Sequence, residues 1–184
     1  MGCLKEHRPV KLIASLISSD NTFLQRSIRG LTGLYGDIET MTGCMDFDYT
    51  DYYEKEFGTG LKRKIVVFKE LVGIEEVSGI KIRTNELERS LERYGNRTVN
   101  IDPGYVTDAK LVLLTTKDYS HRIYTGRGIF AEVTLRYERG SFRRWPWTYP
   151  DYASRGLTDF FNDVRGMYLS DLKRSFSGSE RDRN

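Results

Sequence analysis

Seven side chains between residues 100 and 132 have the types and spacing to share a ligand or a reaction: Asn100, Asp102, Lys117, Asp118, His121, Arg122 and Glu132. All lie in the stretch RTVNIDPGYVTDAKLVLLTTKDYSHRIYTGRGIFAEVTL, from Arg97 to Leu135, where Pro and Gly constrain the backbone around them. A carboxylate beside an imidazole fixes its tautomer and raises its basicity, which suits a general base or a metal ligand. His121 and Glu132 are candidates for such a pair, with Asp102 as a third participant. One His with two carboxylates suits a hard or borderline divalent ion. That set predicts a metal-dependent hydrolase or phosphoryl-transfer enzyme and leaves the metal open. Lys117, His121, Arg122 and Arg127 place four cationic groups within eleven residues. Facing one pocket, they predict a site for a phosphate or carboxylate, with Arg122 giving the bidentate contact and Asn100 and Asp118 completing the polar set. A plainer role is open to the same residues. His121 and Glu132 could be a cross-strand pair on a solvated sheet face, contributing ~0.2–1 kcal/mol, and the cations could be solvated strand ends.

The elements that must position these groups follow from hydrophobic pattern and punctuation. Val10 to Ser18 is a short apolar run and predicts a buried first strand. Ser19-Asp20 then caps a helix with Leu24, Ile28, Leu31 and Tyr35 on one face, stopped by Gly36. A second strand is expected within Asp37 to Asp46, followed by the acidic-aromatic loop FDYTDYYEKEFGTG. A third strand is expected over Leu61 to Phe68. Val77, Ile80, Thr84, Leu87, Leu91 and Tyr94 predict one continuous helix over 75–94, closed by Gly95. Thr98 to Asp102 reads as a strand, with Val99 and Ile101 facing one way and Thr98, Asn100 and Asp102 the other. Asp102-Pro103-Gly104-Tyr105 has the chemistry of a type II turn. Strand, helix, strand, strand, helix, strand is the order of a ferredoxin-like split βαβ core, an antiparallel sheet with both helices on one face.

Beyond that α+β core, Asp108 to Lys117 fits either a capped helix or a buried strand, and the helix is preferred. His121 to Leu135 predicts a hairpin with Gly126-Arg127 as a type II′ loop. In that register His121 lies opposite Glu132. A Pro-stiffened aromatic loop, RRWPWTYPDY, leads to a final helix over 156–176 with Phe160, Val164, Met167, Tyr168 and Leu172 as its buried stripe. At 184 residues, with 39% apolar and 30% charged residues, one domain over 1–184 with an ordered core of 9–176 is expected.

Composition removes several function classes. The net charge of +3 comes from mixed charges without a basic block, so nucleic acid is not an expected partner. No apolar stretch approaches the ~20 residues of a membrane helix. Two lone cysteines, Cys3 and Cys44, do not make a disulfide scaffold and fit a cytoplasmic protein. Nor do they and two histidines make a tetrahedral zinc site. No phosphate-binding loop is present, and Gly58-Thr59-Gly60 has the wrong context for one. Tyr49, Tyr52, Tyr53 and Phe57, and then Trp145, Trp147, Tyr149 and Tyr152, form two aromatic loops that could instead dock a partner protein.

The motifs FDYTDYYEKEFG, KIRTNELE, VNIDPGY, LTTKDYSHRIY, GIFAEVTL and WTYPDY, in this order from Pro9 to about Tyr168, give the chain a family likeness. It resembles an uncharacterised bacterial and archaeal family, domain of unknown function number 4416. Thr125 stands where that pattern has Leu. Some members carry a GTP-binding label, for which these residues offer no physical support. The resemblance brings no catalytic residues with it. The function expected from the residues themselves is binding of a small anionic ligand, a nucleotide or phosphorylated metabolite, around residues 100–134. Metal-dependent catalysis by Asp102, His121 and Glu132 and partner docking by the aromatic loops are the alternatives. The oligomeric state is left open.

Overall fold

Strand β1, Val10–Ser18, is buried at all nine positions. An apolar run without alternation must be covered on both sheet faces, and β1 is. Leu12, Ala14 and Leu16 pack on one side with Leu24, Leu31 and Ile80. Ile13 packs on the other with Leu157, Phe161 and Val164. The structure is a computed structural model that describes residues 2–3, 6–48 and 54–181. Tyr49, Asp51, Tyr52 and Tyr53 of the acidic-aromatic loop lie outside the described residues.

After β1 comes helix α1, Asn21–Tyr35, with Asp20 as its N-cap and Gly36 at φ 83° as its C-cap. The strand expected over Asp37–Asp46 is two short pieces, β2 (Ile38–Met41) and β3 (Met45–Asp46), both paired with β4. A single turn, α2 (Glu54–Phe57), precedes β4 (Lys62–Val72), which runs further than Phe68. Helix α3 spans Val77–Ser90 and enters through a tighter turn at Ile74–Glu76. It stops short of Tyr94. That ring is 89% exposed, so its match to the apolar stripe carries no burial, and Tyr94 and Gly95 turn the chain at positive φ instead.

Two expectations next to the site are overturned. Asp102-Pro103-Gly104-Tyr105 is no turn: it lies inside strand β5, Asn100–Val106. Pro103 is opposite Ala14 of β1, and the ladder from β5 to its other neighbour begins only at Gly104. A proline has no N–H to give to a ladder, and that is where the pairing ends. Gly104 serves close approach. A Cβ there would lie 2.3 Å from the Val112 carbonyl oxygen and 2.8 Å from Leu113 Cδ2. The preferred helix at Asp108–Lys117 is strand β6, Lys110–Thr115. Thr107 caps a tight turn, its hydroxyl accepting from the Ala109 and Lys110 N–H groups at 3.2 Å. Leu111, Val112 and Leu114 are then buried between layers, a tertiary demand that a short run does not announce.

The remaining elements are β7 (Ile123–Gly126), β8 (Ile129–Glu138), β9 (Ser141–Arg144) and α4 (Arg155–Arg181). The main strand order is β2-β4-β1-β5-β6-β8-β7, with β3 on β4 and β9 on β8. Every pairing is antiparallel. The fold is therefore α+β, an open antiparallel sheet that goes well past the strands of a ferredoxin-like core. Helices α1 and α3 cover one face and α4 the other. On α4 the buried stripe is Leu157, Phe161, Val164, Tyr168 and Leu172. Phe161 takes the place expected of Phe160, which is half-buried along with Met167.

One polar tie crosses this core. Lys11 is fully buried, yet its ammonium meets Glu39 Oε2 at 2.6 Å and also the Asp171 carboxylate of α4. Tyr168 donates its hydroxyl to the Pro9 carbonyl at 3.1 Å. No helix among the described residues is long and apolar enough to cross a membrane.

The close approach of β5 and β6 is testable. Gly104→Ala should cost about 1–3 kcal/mol, since backbone must move to admit the methyl group. Gly33→Ala, in the body of α1 with open space around it, should gain up to about 1 kcal/mol. Urea denaturation of both variants measures the contrast, and equal effects would show that the Gly104 contact does not constrain the sheet.

Candidate functional site

Strands β5 and β6 pair only from Gly104–Val106 to Leu111–Leu113. Below Gly104 they part, and β6 continues against β8 as far as Thr115. The parting leaves the backbone of Ile101 without a β6 partner. Helix α3 supplies one from side chains. The Ile101 N–H donates to Glu88 Oε1 at 2.7 Å, and its carbonyl accepts from Lys81 Nζ at 2.7 Å. Buried backbone groups must be satisfied, and here two charged side chains do the work of a strand.

Lys81 also reaches Asp102 Oδ1 at 3.0 Å, while Asn100 Nδ2 donates to Asp102 Oδ2 at 2.7 Å. Burial alone would raise the Asp102 carboxyl. The Lys81 charge and the hydrogen bonds from Lys81 and Asn100 outweigh it and hold the group below its ordinary value of 3.8. For Glu88 burial wins, and its carboxyl is pushed up despite Lys81 and the Ile101 N–H. Arg97 joins the cluster from outside, bonded to Glu56 at 2.5 and 2.6 Å and to Glu88 at 3.2 Å.

A cavity of about 290 Å³ occupies the gap, walled by β5, β6, α3 and the loop after β9. Its buried end holds Ser15, Arg63, Asn100 and Tyr152, and its exposed end Arg89, Glu92, Thr116, Lys117 and Tyr149. Arg63 is clamped. Its Nη1 bonds the Asp151 carboxylate, and its guanidinium lies over Phe47 at 4.4 Å and Tyr152 at 4.9 Å. Burial pushes the Asp151 carboxyl up against the pull of Arg63. Burial likewise pushes the Tyr152 phenol up to about 12, so it keeps its proton at neutral pH.

Five of the seven residues singled out from sequence line this cavity: Asn100, Asp102, Lys117, Arg122 and Glu132. Asp118 and His121 do not. His121 and Glu132 do meet, Nε2 to Oε2 at 3.0 Å, and Arg122 Nε donates to that same oxygen at 3.0 Å. The expected register did not bring them together. Ile123 pairs with Ala131, Tyr124 with Phe130 and Gly126 with Ile129. The loop is Arg127-Gly128, both at positive φ, as a type I′ turn requires. His121 precedes β7, in a turn where the Arg122 N–H donates to the Tyr119 carbonyl at 2.9 Å. Its ring is stacked on Trp147 at 5.3 Å, and Trp147 on Trp145 at 5.1 Å. Among the described residues no group of three or more His, Cys, Asp and Glu is placed to hold a metal ion.

Lys81, Glu88 and Arg63 escaped the sequence reading, although each had a signal. Lys81 and Glu88 are seven apart, two turns, in the same helix as the apolar stripe, and opposite charges at that spacing can share its buried face. Arg63 on β4 is in phase with Ile65 and with Leu61 just before the strand, a position that alternation assigns to the interior.

Residues 8–168 match the model of a family described as Domain of unknown function (DUF4416). This chain belongs to that family. The match covers the cavity and every residue of its wall, and it assigns DUF4416 no ligand and no reaction. The match does not confirm a GTP-binding label. Comparison with curated proteins and with solved structures gives no match.

The Asp102 pairing predicts a pH signature. A carboxyl held below its ordinary value contributes stability that is complete above that value and lost as pH falls through the lowered one. Asp102→Asn should therefore lower the melting temperature at neutral pH, and the two melting curves should converge as pH drops below 3.8. A difference that stays constant with pH would remove Asp102 from the ion pair.

Proposed function

We propose that this protein is a cytoplasmic binder of a small anionic ligand, a nucleotide or other phosphorylated metabolite, seated between β5 and β6. The observation that carries this reading is the distribution of charge on the cavity wall. Arg63, Lys81, Arg97 and Arg122 are paired with carboxylates, Asp151, Asp102, Glu56 with Glu88, and Glu132 respectively, so the cationic surplus is local to the exposed end, where the wall adds Arg89 and Lys117 beside Glu92. A partly enclosed wall with a surplus of cations favours an anion, and walls of low polarisability strengthen that preference. Arg122 is oriented for the task. Its Nε is fixed by Glu132 and its Nη1 by the Lys117 carbonyl at 3.1 Å, which holds the guanidinium plane against the wall. Cys3 and Cys44 are exposed and free of disulfides, as suits a reducing compartment.

The metal-dependent enzyme reading draws less support. Asp102 and Glu132 reach the cavity, but each is committed to cations, and the His121 ring is packed in an aromatic stack off the wall. The docking reading is weaker for a similar reason. Trp147 donates its Nε1–H to the Val133 carbonyl at 3.1 Å, so the second aromatic loop is engaged in holding itself against the sheet.

A thermal-shift screen of phosphorylated compounds beside their unphosphorylated counterparts tests the proposal. A ligand at a hundred times its Kd should add about 2.7 kcal/mol of stability. No phosphorylated compound raising the melting temperature above its neutral counterpart would defeat it. For any ligand found, Arg122→Lys should weaken binding roughly tenfold, because the planar fork and its charge-assisted bonds are lost. Titration calorimetry reads this directly, and unchanged affinity would take Arg122 out of the site.

A further inference from the structure

The buried end of the cavity carries hydrogen-bonding capacity that the protein does not use. Arg63 is 5% exposed and Tyr152 1% exposed. Among the described residues neither Arg63 Nε nor the Tyr152 hydroxyl has a hydrogen-bond partner; Ser15 lies beside the hydroxyl without forming a well-made bond. A buried donor left unmade costs about 1–3 kcal/mol, and both of these sit on the wall of one cavity. Asp102 offers the complementary half. Each of its oxygens already accepts one bond, from Lys81 or from Asn100, and a carboxylate oxygen has a second lone pair to give. One cavity wall therefore carries both donors and an acceptor, the pattern that neighbouring hydroxyl groups satisfy because each both donates and accepts.

A nucleobase needs something else, an open aromatic face. The wall has three rings, and two are covered. Phe47 and Tyr152 both lie under the Arg63 guanidinium. The other side of Tyr152 is stacked on Phe161 at 5.9 Å and 14°. Tyr149 remains, half-exposed at the mouth near Arg122 and Glu132, beside the cations that would hold the phosphate, so the buried end offers a base no open ring. The exposed cations Lys117 and Arg89 are at that same end, and the partly buried Arg122 lies close to Tyr149.

We infer that the ligand is a phosphorylated polyol or simple sugar phosphate rather than a nucleotide, its hydroxyls at Arg63, Asp102 and Tyr152 and its phosphate at Lys117 and Arg122. This rests on the anion-binding reading above and narrows it.

The test is calorimetric titration of the full chain with glycerol phosphate, ribose phosphate and a hexose phosphate, against AMP, GMP and inorganic phosphate. At least one sugar or polyol phosphate should bind tenfold or more tighter than inorganic phosphate, and the nucleotides no tighter than inorganic phosphate. Tyr152→Phe should weaken the sugar phosphate roughly threefold to tenfold and leave inorganic phosphate unchanged. It should also melt no lower than wild type, because the deleted hydroxyl has no partner to lose. Nucleotides binding as tightly as the sugar phosphates would overturn this inference and leave the anion reading standing. So would an unchanged sugar phosphate affinity in Tyr152→Phe. If no phosphate compound binds, the anion reading fails and the inference falls with it.

Discussion

Two charged side chains bonded to the backbone of one residue organise the site. Ile101 lies where β5 has lost its neighbour, and a strand edge inside a protein cannot stay bare. Lys81 and Glu88 meet its carbonyl and its N–H. Hydrocarbon could fill the same space but could not satisfy the peptide. Once these charges are inside, each demands its own partner, and the demands propagate to Asp102, Asn100, Arg97 and Glu56. The polar cavity is thus a product of how the sheet divides. Pro103 ends the ladder and Gly104 lets the strands touch just before they separate, so two residues of backbone character decide where the polar side chains gather.

The opposite wall works by a different principle. Arg63 is held by a carboxylate and by two aromatic faces, and an arginine stacked in this way has little rotational freedom left to lose. A guanidinium is more weakly hydrated than an ammonium and tolerates such a setting. The cost of desolvating it has been met within the fold itself, before any ligand arrives. That division of labour is physical: α3 shapes the gap, and the loop before α4 fixes the group that faces it.

Much of this was written in local pattern, and the rest was not. β1 and α1 with its Asp20 cap could be read at sight, because their apolar period and capping residues agree. The cavity residues Asn100, Asp102, Lys117, Arg122 and Glu132 were found by polar density alone. Pro103-Gly104 was misread because the same two residues serve a turn and a strand edge, and only the neighbouring strand decides between them. β6 was misread as a helix for want of length. The His121–Glu132 contact was reached from a register the hairpin does not have, so agreement there owed nothing to the turn chemistry invoked. The burial of Arg63 and Lys81 is legible in strand alternation and helix spacing, but their part in the site is not, because it lies in long-range partners, Asp151 and Asp102, that no local window contains.

The buried Lys11 joins segments that lie far apart in the sequence. Its ammonium, on β1 between β4 and β5, meets Glu39 of β2 and Asp171 of α4. Helix α4 covers one face of the sheet, so the second of these contacts exists only while that helix is docked. Lifting α4 would leave a buried ammonium with one carboxylate in place of two, and a charge inside a core is costly without its partners. Detachment of the helix and loosening of the central strand are therefore coupled, and the lysine acts as the latch between them.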